Sequence, residues 1–277
     1  MDEALTRALA LGDEGDWDGM ADALEALLEA HPDDATVLCW LGVAEQGRGR
    51  DGVAYERFRQ AMEGEPEDPY VLATIGAGLA RLDDPEAEGL LRTAALTGPE
   101  VAYARTMYGA YLSREGQIDV ALQELDAAVG LAPDDPDVHV ERGVALALGG
   151  RLEEAVDAFQ QALTLDPDES WAQALLGLAL VELGRLEDAL ADLVPAALAR
   201  PEDVELQVVA ALAAAAAEDE ARAFELLERA RLRAAQGDLP LVSAAEDRID
   251  EGGEAARSFL EEELASSQLR ERLAERP

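Results

Sequence analysis

Neither lysine nor asparagine occurs among the 277 residues, so all 22 basic side chains are arginine, set against 60 acidic ones. Without lysine the chain has no Schiff-base nucleophile, no Walker-type phosphate loop and no kinase strand lysine. The formal net charge of −38 and the sequence pI near 4.1 give a surface that repels phosphate, which argues against nucleic acid as a direct partner. A single cysteine, Cys39, excludes an internal disulfide framework and fits a reducing compartment. The longest uncharged apolar run, Val208 to Ala217, is too short to span a bilayer and is flanked by Glu205 and Glu218. Residues 1–18 lack the basic start and small-residue cleavage site of an export signal, so the expected location is the cytoplasm, away from membranes. Aromatic residues are only 4% of the chain, whereas alanine and leucine carry most of a 49% hydrophobic content, which favours helix over sheet. The acid excess has two candidate origins, GC-rich coding and adaptation to high salt, where self-repulsion of this size is screened.

Proline recurs at Pro32, Pro66, Pro99, Pro133, Pro167 and Pro201, with separations of 34, 33, 34, 34 and 34 residues. Acid follows, as in Pro32-Asp33-Asp34 and Pro201-Glu202-Asp203, so each proline ends one helix and places negative charge at the positive start of the next. In phase with this grid, small residues stand at Ala8, Gly42, Gly76, Gly109, Gly143, Gly177 and Ala211, where they let two helices approach closely. Turn glycines Gly15, Gly49, Gly116, Gly150 and Gly184 come seven residues later. The second helix of each period carries Ala54, Ala87, Ala121, Ala155, Ala189 or Ala223, followed four residues on by Phe58, Leu91, Leu125, Phe159, Leu193 or Leu227 on the same face.

This pattern resembles the tetratricopeptide repeat, whose unit carries a small residue in its eighth place, alanine in its twentieth, an aromatic residue or leucine in its twenty-fourth and proline in its thirty-second. The resemblance implies an all-α fold, a right-handed α-solenoid of stacked antiparallel helix pairs. Seven units are expected, at residues 1–34, 35–68, 69–101, 102–135, 136–169, 170–203 and 204–237. Three departures stand out: Met20 occupies an alanine place, the third unit is one residue short around Asp83 to Pro85, and the seventh lacks its closing proline. Residues 238–277 read as a degenerate repeat that breaks at Gly252-Gly253, then an amphipathic helix with Ala256, Phe259, Leu260, Leu264, Leu269 and Leu273 as its stripe, ringed by polar residues that include Arg270, Glu271 and Arg272. Such a helix suits a cap on the open end of the stack, with a dimerisation helix as the alternative.

By the same resemblance, a concave groove is lined by the second, fifth, sixth, ninth, twelfth and thirteenth places of each first helix, which span about 120° of its surface. Those places hold Thr36, Cys39, Trp40 and Val43; Tyr70, Ala73, Thr74 and Arg81; Tyr103, Thr106, Met107, Ala110 and Arg114; Asp137, Val140, Glu141 and Val144; and Trp171, Ala174, Leu175 and Leu178. Trp40, Val43, Tyr70, Arg81, Tyr103, Thr106, Met107, Arg114 and Trp171 are the candidate partner-binding residues, since aromatics anchor such sites. The bland alternative is that they pack between neighbouring first helices. Some family members clamp a peptide carboxylate with lysine, asparagine and arginine; here only Arg81 and Arg114, in equivalent places, remain to hold an acidic group together or to pair locally.

Catalysis has no candidate constellation: His31 and His139 lie about three units apart, Cys39 has neither nearby, and no G-x-S-x-G or C-x-x-C occurs. Asp134-Asp135-Pro136-Asp137 suits a helix start rather than a calcium loop. Arg142 occupies a normally apolar place with no obvious carboxylate opposite. No cofactor or metal is expected. The functional expectation is a noncatalytic scaffold holding a protein or peptide in its groove; the alternatives are an acidic assembly factor or secretion-type chaperone for a basic partner, and a regulatory subunit. Partner identity and oligomeric state are not set by the sequence.

Overall fold

The computed structural model describes residues 2–274, and these form helices joined by short turns, with no strand among them. Two compact units divide the chain. The first takes in residues 2–115 and 119–132 and the second 116–118 and 133–274 of those described. In the first unit the pairs are α1 (Asp2–Asp13) with α2 (Trp17–Ala30), α3 (Ala35–Gly47) with α4 (Asp51–Glu63), α5 (Pro69–Arg81) with α6 (Ala87–Thr97), and α7 (Ala102–Arg114) with α8 (Ile118–Leu131). The second pairs α9 (Pro136–Leu148) with α10 (Leu152–Leu165), α11 (Ser170–Glu182) with α12 (Leu186–Ala199), and α13 (Val204–Ala216) with α14 (Glu220–Arg233). After α15 (Leu239–Glu251) the chain continues as α16 (Gly253–Ser258), a π-helical turn (Phe259–Leu264) and α17 (Ala265–Ala274).

In five of the periods the closing acid is the N-cap of the next odd-numbered helix. Asp34 accepts from the amides of Thr36 and Val37 at 2.9 and 3.1 Å, Asp68 from Tyr70 and Val71 at 2.8 and 3.3 Å, and Asp203 from Leu206 at 2.9 Å. Asp135 and Glu169 cap α9 and α11 in the same way. Each such cap contributes about 1 kcal/mol by satisfying amides that the helix itself leaves unpaired. The short third period ends on Val101, which supplies no side-chain cap to α7.

Within a pair, the large side chain of the second helix lies directly on the small residue of the first. A Cβ built on Gly143 would stand 2.4 Å from the Phe159 ring, one on Gly42 2.6 Å from Phe58, and one on Gly177 2.5 Å from Leu193. Phe58 and Phe159 are fully buried there. The first pair achieves the same closeness by exchange, because the Met20 that replaces the usual alanine is buried against Gly12, whose added Cβ would meet the Met20 sulfur at 2.7 Å.

The fifteenth place is left-handed in every repeat. Its glycines have φ between 70° and 77°, and where the sequence offers no glycine the backbone still adopts the turn, with Asp83 at φ 55° and Glu218 at φ 62°. A side chain there costs about 1 kcal/mol. Glu218→Gly is therefore expected to raise the unfolding free energy by about 1 kcal/mol in urea titration, and Gly184→Ala to lower it by a similar amount. Equal and small effects at both positions would contradict this reading of the turn.

Candidate functional site

In the first unit the odd-numbered helices α1, α3, α5 and α7 pack on one another in succession and present a shared face. In the first unit that face carries a row of aromatic rings. Trp40 on α3 lies 6.0 Å from Tyr70 on α5, and Tyr70 stacks on Tyr103 of α7 at 4.2 Å with 20° between the planes. Tyr70 keeps 41% of its surface exposed, which is unusual for a ring in a row of three and marks the face as accessible there. Beside it, α1, α2, α3 and α5 enclose a cleft of about 560 Å³ whose walls include Trp17, Thr36, Trp40, Val43 and Tyr70, with Asp13 and Asp68 at its edges.

The structure sorts the sequence-derived candidates. Trp40, Val43 and Tyr70 meet in the cleft, and Tyr103 extends the row. Met107 and Tyr103 both pack against the buried cluster of Leu72, Ala73, Ala94 and Ala104. Thr106 does not face outward: it is buried, and its hydroxyl donates to the Ala102 carbonyl at 3.0 Å. Arg81 is exposed at the C-terminal end of α5, eleven residues and so about 16 Å from Tyr70. Arg114 folds back to donate to the Ala110 carbonyl at 3.1 Å. Sequence reading missed Trp17, Asp13 and Asp68; the available signal was Gly47, which stands where a Cβ would come within 2.3 Å of the Trp17 ring.

Cys39 is a core residue. Burial, reinforced by the charge of Asp68, pushes its thiol far above the ordinary range, and its Sγ donates to the Val71 carbonyl at 3.8 Å, so it is no nucleophile. His139 is buried with Nε2 2.8 Å from the Pro133 carbonyl, and His31 is exposed at the end of α2. Arg142 does have a carboxylate within reach: Glu154 is held below the usual carboxylate range by its hydrogen bond and charge pairing with Arg151 and, to a lesser extent, by the charge of Arg142.

The corresponding face of the second unit is filled from within. The C-terminal helix runs back over the inner helices, with α16 on α13 and α17 on α11 and α9. Gly252, at φ 116°, turns the chain, and Gly253 lets α16 start so close to α13 that a Cβ would lie 2.8 Å from the Ala215 carbonyl. The π-helical turn then corrects the phase: it absorbs the extra residue that puts Ala256 and Leu260 on the same buried side as Leu264, Leu269, Arg272 and Leu273. Arg272 is thus only 5% exposed, not part of the polar surround in which its neighbours place it. Its Nη1 and Nη2 donate to the two oxygens of Asp203 at 2.7 and 2.9 Å, and its guanidinium lies 5.8 Å from the centre of the Trp171 ring, which Arg200 also approaches at 5.2 Å. Trp171 is therefore the seat of two of the chain's own arginines, Arg200 and Arg272, rather than part of an open groove.

Burial pushes the Asp203 carboxyl up, but the hydrogen bonds and charge of Arg272, with the Leu206 amide and Arg200, bring it below the usual range. The contribution of this pair to docking is therefore complete above the ordinary carboxylate pKa and is lost as pH falls through the lowered value. Arg272→Gln leaves Asp203 without its main counter-charge and is expected to cost about 3 kcal/mol locally, so that hydrogen exchange of the α17 amides accelerates about 100-fold at pH 7. Unchanged protection of α17 would show that the pair does not hold the helix.

Among the described residues no group of side chains has the makings of a metal site, and no helix is long and apolar enough to cross a membrane. Tetratricopeptide repeat family profiles match residues 5–69, 79–136 and 109–170, and a second profile of that description matches 145–215. The chain belongs to the tetratricopeptide repeat family. Among solved structures, it is similar to a chain in the crystal structure of the APC/C hetero-tetramer Cut9-Hcn1, with a TM-score of 0.75 at 19% identity over 90% of this chain and 49% of that one. It spans about half the length of that neighbour, and the likeness is one of fold. It is also similar to a thermophilic tetratricopeptide repeat protein of Thermus thermophilus, with a TM-score of 0.57 at 26% identity over 65% of this chain and 98% of that one. No curated protein sequence matches.

Proposed function

We propose that this chain is a noncatalytic cytoplasmic scaffold that binds a segment of a partner protein on the odd-helix face of its first unit. Membership of the tetratricopeptide repeat family supports a role in protein–protein interaction. The observation that carries the finer reading is the Trp40–Tyr70–Tyr103 row, with Tyr70 exposed beside a cleft in an otherwise acidic, aromatic-poor chain. Arg81 and Arg114 lie toward the far ends of their helices and are left out of this site. So is Trp171, because the chain's own C-terminal helix covers it.

The net charge of −38 favours a second reading, capture of a basic partner by the acidic exterior. The two separate in one experiment. Polypeptides co-purifying with the chain from its native organism are identified, and the affinity of the strongest is measured for wild type and for Tyr103→Ala with Met107→Ala. Groove binding predicts a loss of about tenfold or more for a variant with unchanged circular dichroism, and little change in wild-type affinity with added salt. Equal affinity for variant and wild type, with steep weakening as ionic strength rises, would replace the groove by the exterior.

A further inference from the structure

The second unit shows how this chain holds an arginine. The frame consists of an aromatic ring on one inner helix, Trp171 of α11, and the capping carboxylate of the next, Asp203 of α13. Arg272 lays its guanidinium over the ring and places its fork on the carboxylate, while an oxygen of that same carboxylate still caps Leu206. The geometry satisfies both demands of a guanidinium, a π face and a planar pair of acceptors.

The first unit carries the same two elements on consecutive inner helices. Trp40 projects from α3, and Asp68 caps α5, spending Oδ1 on the amides of Tyr70 and Val71 at 2.8 and 3.3 Å. No hydrogen bond of the described residues engages Asp68 Oδ2. Trp40 stands one helical turn further along its helix than Trp171 does on its own, so the cleft of about 560 Å³ lies between ring and carboxylate where the second unit has direct contact. Two carboxylates, Asp13 and Asp68, border that cleft, and among the described residues no basic side chain lines it. A ring, a half-used carboxylate and a second acid, with no cation among the described residues of the lining, are the complement of a positively charged, planar group.

We infer that this cleft is a guanidinium subsite, which takes an arginine side chain of the partner polypeptide over Trp40 with its fork on Asp68. The inference rests on the groove reading above and narrows its partner to one that presents an arginine. Lysine fits less well, because an ammonium is more strongly hydrated and offers no planar fork to the carboxylate.

The test is a ¹⁵N-resolved titration of the full chain with N-acetyl-argininamide, repeated with the neutral isostere N-acetyl-citrullinamide and with N-acetyl-lysinamide. The expected result is saturable shifts of the Trp40 indole N–H and the Tyr70 and Val71 amides, with citrullinamide about tenfold weaker or more and lysinamide intermediate. Asp68→Asn keeps the helix cap, since asparagine caps as well as aspartate, and is expected to weaken argininamide binding about tenfold. Equal binding of argininamide and citrullinamide, or shifts scattered over the acidic surface and indifferent to Asp68→Asn, would overturn the subsite. The purified partner separates this failure from the broader one. If Tyr103→Ala with Met107→Ala abolishes its binding while Asp68→Asn leaves it unchanged, the groove stands and the arginine subsite falls; if neither change matters, the groove itself falls.

Discussion

The contact on which the rest of the structure depends is a large side chain at the twenty-fourth place of each repeat pressed onto bare backbone at the eighth. Between Gly143 and Phe159, or Gly177 and Leu193, there is no room for even one added carbon. Glycine inside a helix costs about 1 kcal/mol relative to alanine, so its presence in five successive repeats says that close approach is worth more than that. With the two helices of a pair held this tightly, the apolar residues of each period bury against their own pair and its neighbour. The second, sixth and ninth places of the odd-numbered helices are then left over to form a surface.

That leftover surface meets two fates. In the second unit its sixth and ninth places hold Val144, Leu175, Leu178, Val209 and Leu212 with Glu141, all buried, and α16 and α17 lie across them. A strip of that kind facing water would be costly, and its own chain covers it. In the first unit the same places include Trp40, Val43, Ala77 and Met107, which are only half-buried, and the second places add the rings of Tyr70 and Tyr103, groups that tolerate solvent on one side and an apolar surface on the other. The two strips thus differ in burial: the chain's own C-terminal helix covers the second, and the first stays half-buried with Tyr70 exposed. The latch at Arg272 fits the same scheme, since a guanidinium between a ring and a carboxylate ties a helix to an apolar strip with orientation as well as area.

The fold was legible because its signals are local and repeat. Proline grid, capping acid and small eighth-place residue recur at a fixed period, and each has one physical meaning wherever it falls. The departures have physical counterparts: the shortened third period turns at Asp83, and Met20 packs against Gly12. What the sequence did not disclose was the path of residues 253–274. Their stripe predicts an amphipathic helix but not the π-helical turn that rotates its far end, so sequence alone places Arg272 among the solvent-facing residues and Trp171 in the groove. Nor did spacing alone separate Thr106, whose hydroxyl turns back to its own helix, from Tyr70, whose ring stays out. The proposed role of Asp68 has no signal of its own in the sequence, because capping already accounts for that residue; only the second unit shows that a capping carboxylate can serve an arginine as well.

The eighth-place contact is tested most directly by a double-mutant cycle on Gly143→Ala and Phe159→Ala, read by urea unfolding. The account predicts that Gly143→Ala destabilises the wild-type chain by about 2 kcal/mol, because the new methyl meets the ring, yet stabilises the Phe159→Ala chain by about 1 kcal/mol, where only helix propensity is left to act. The same effect of Gly143→Ala in both backgrounds would mean that the ring does not set the spacing of the pair.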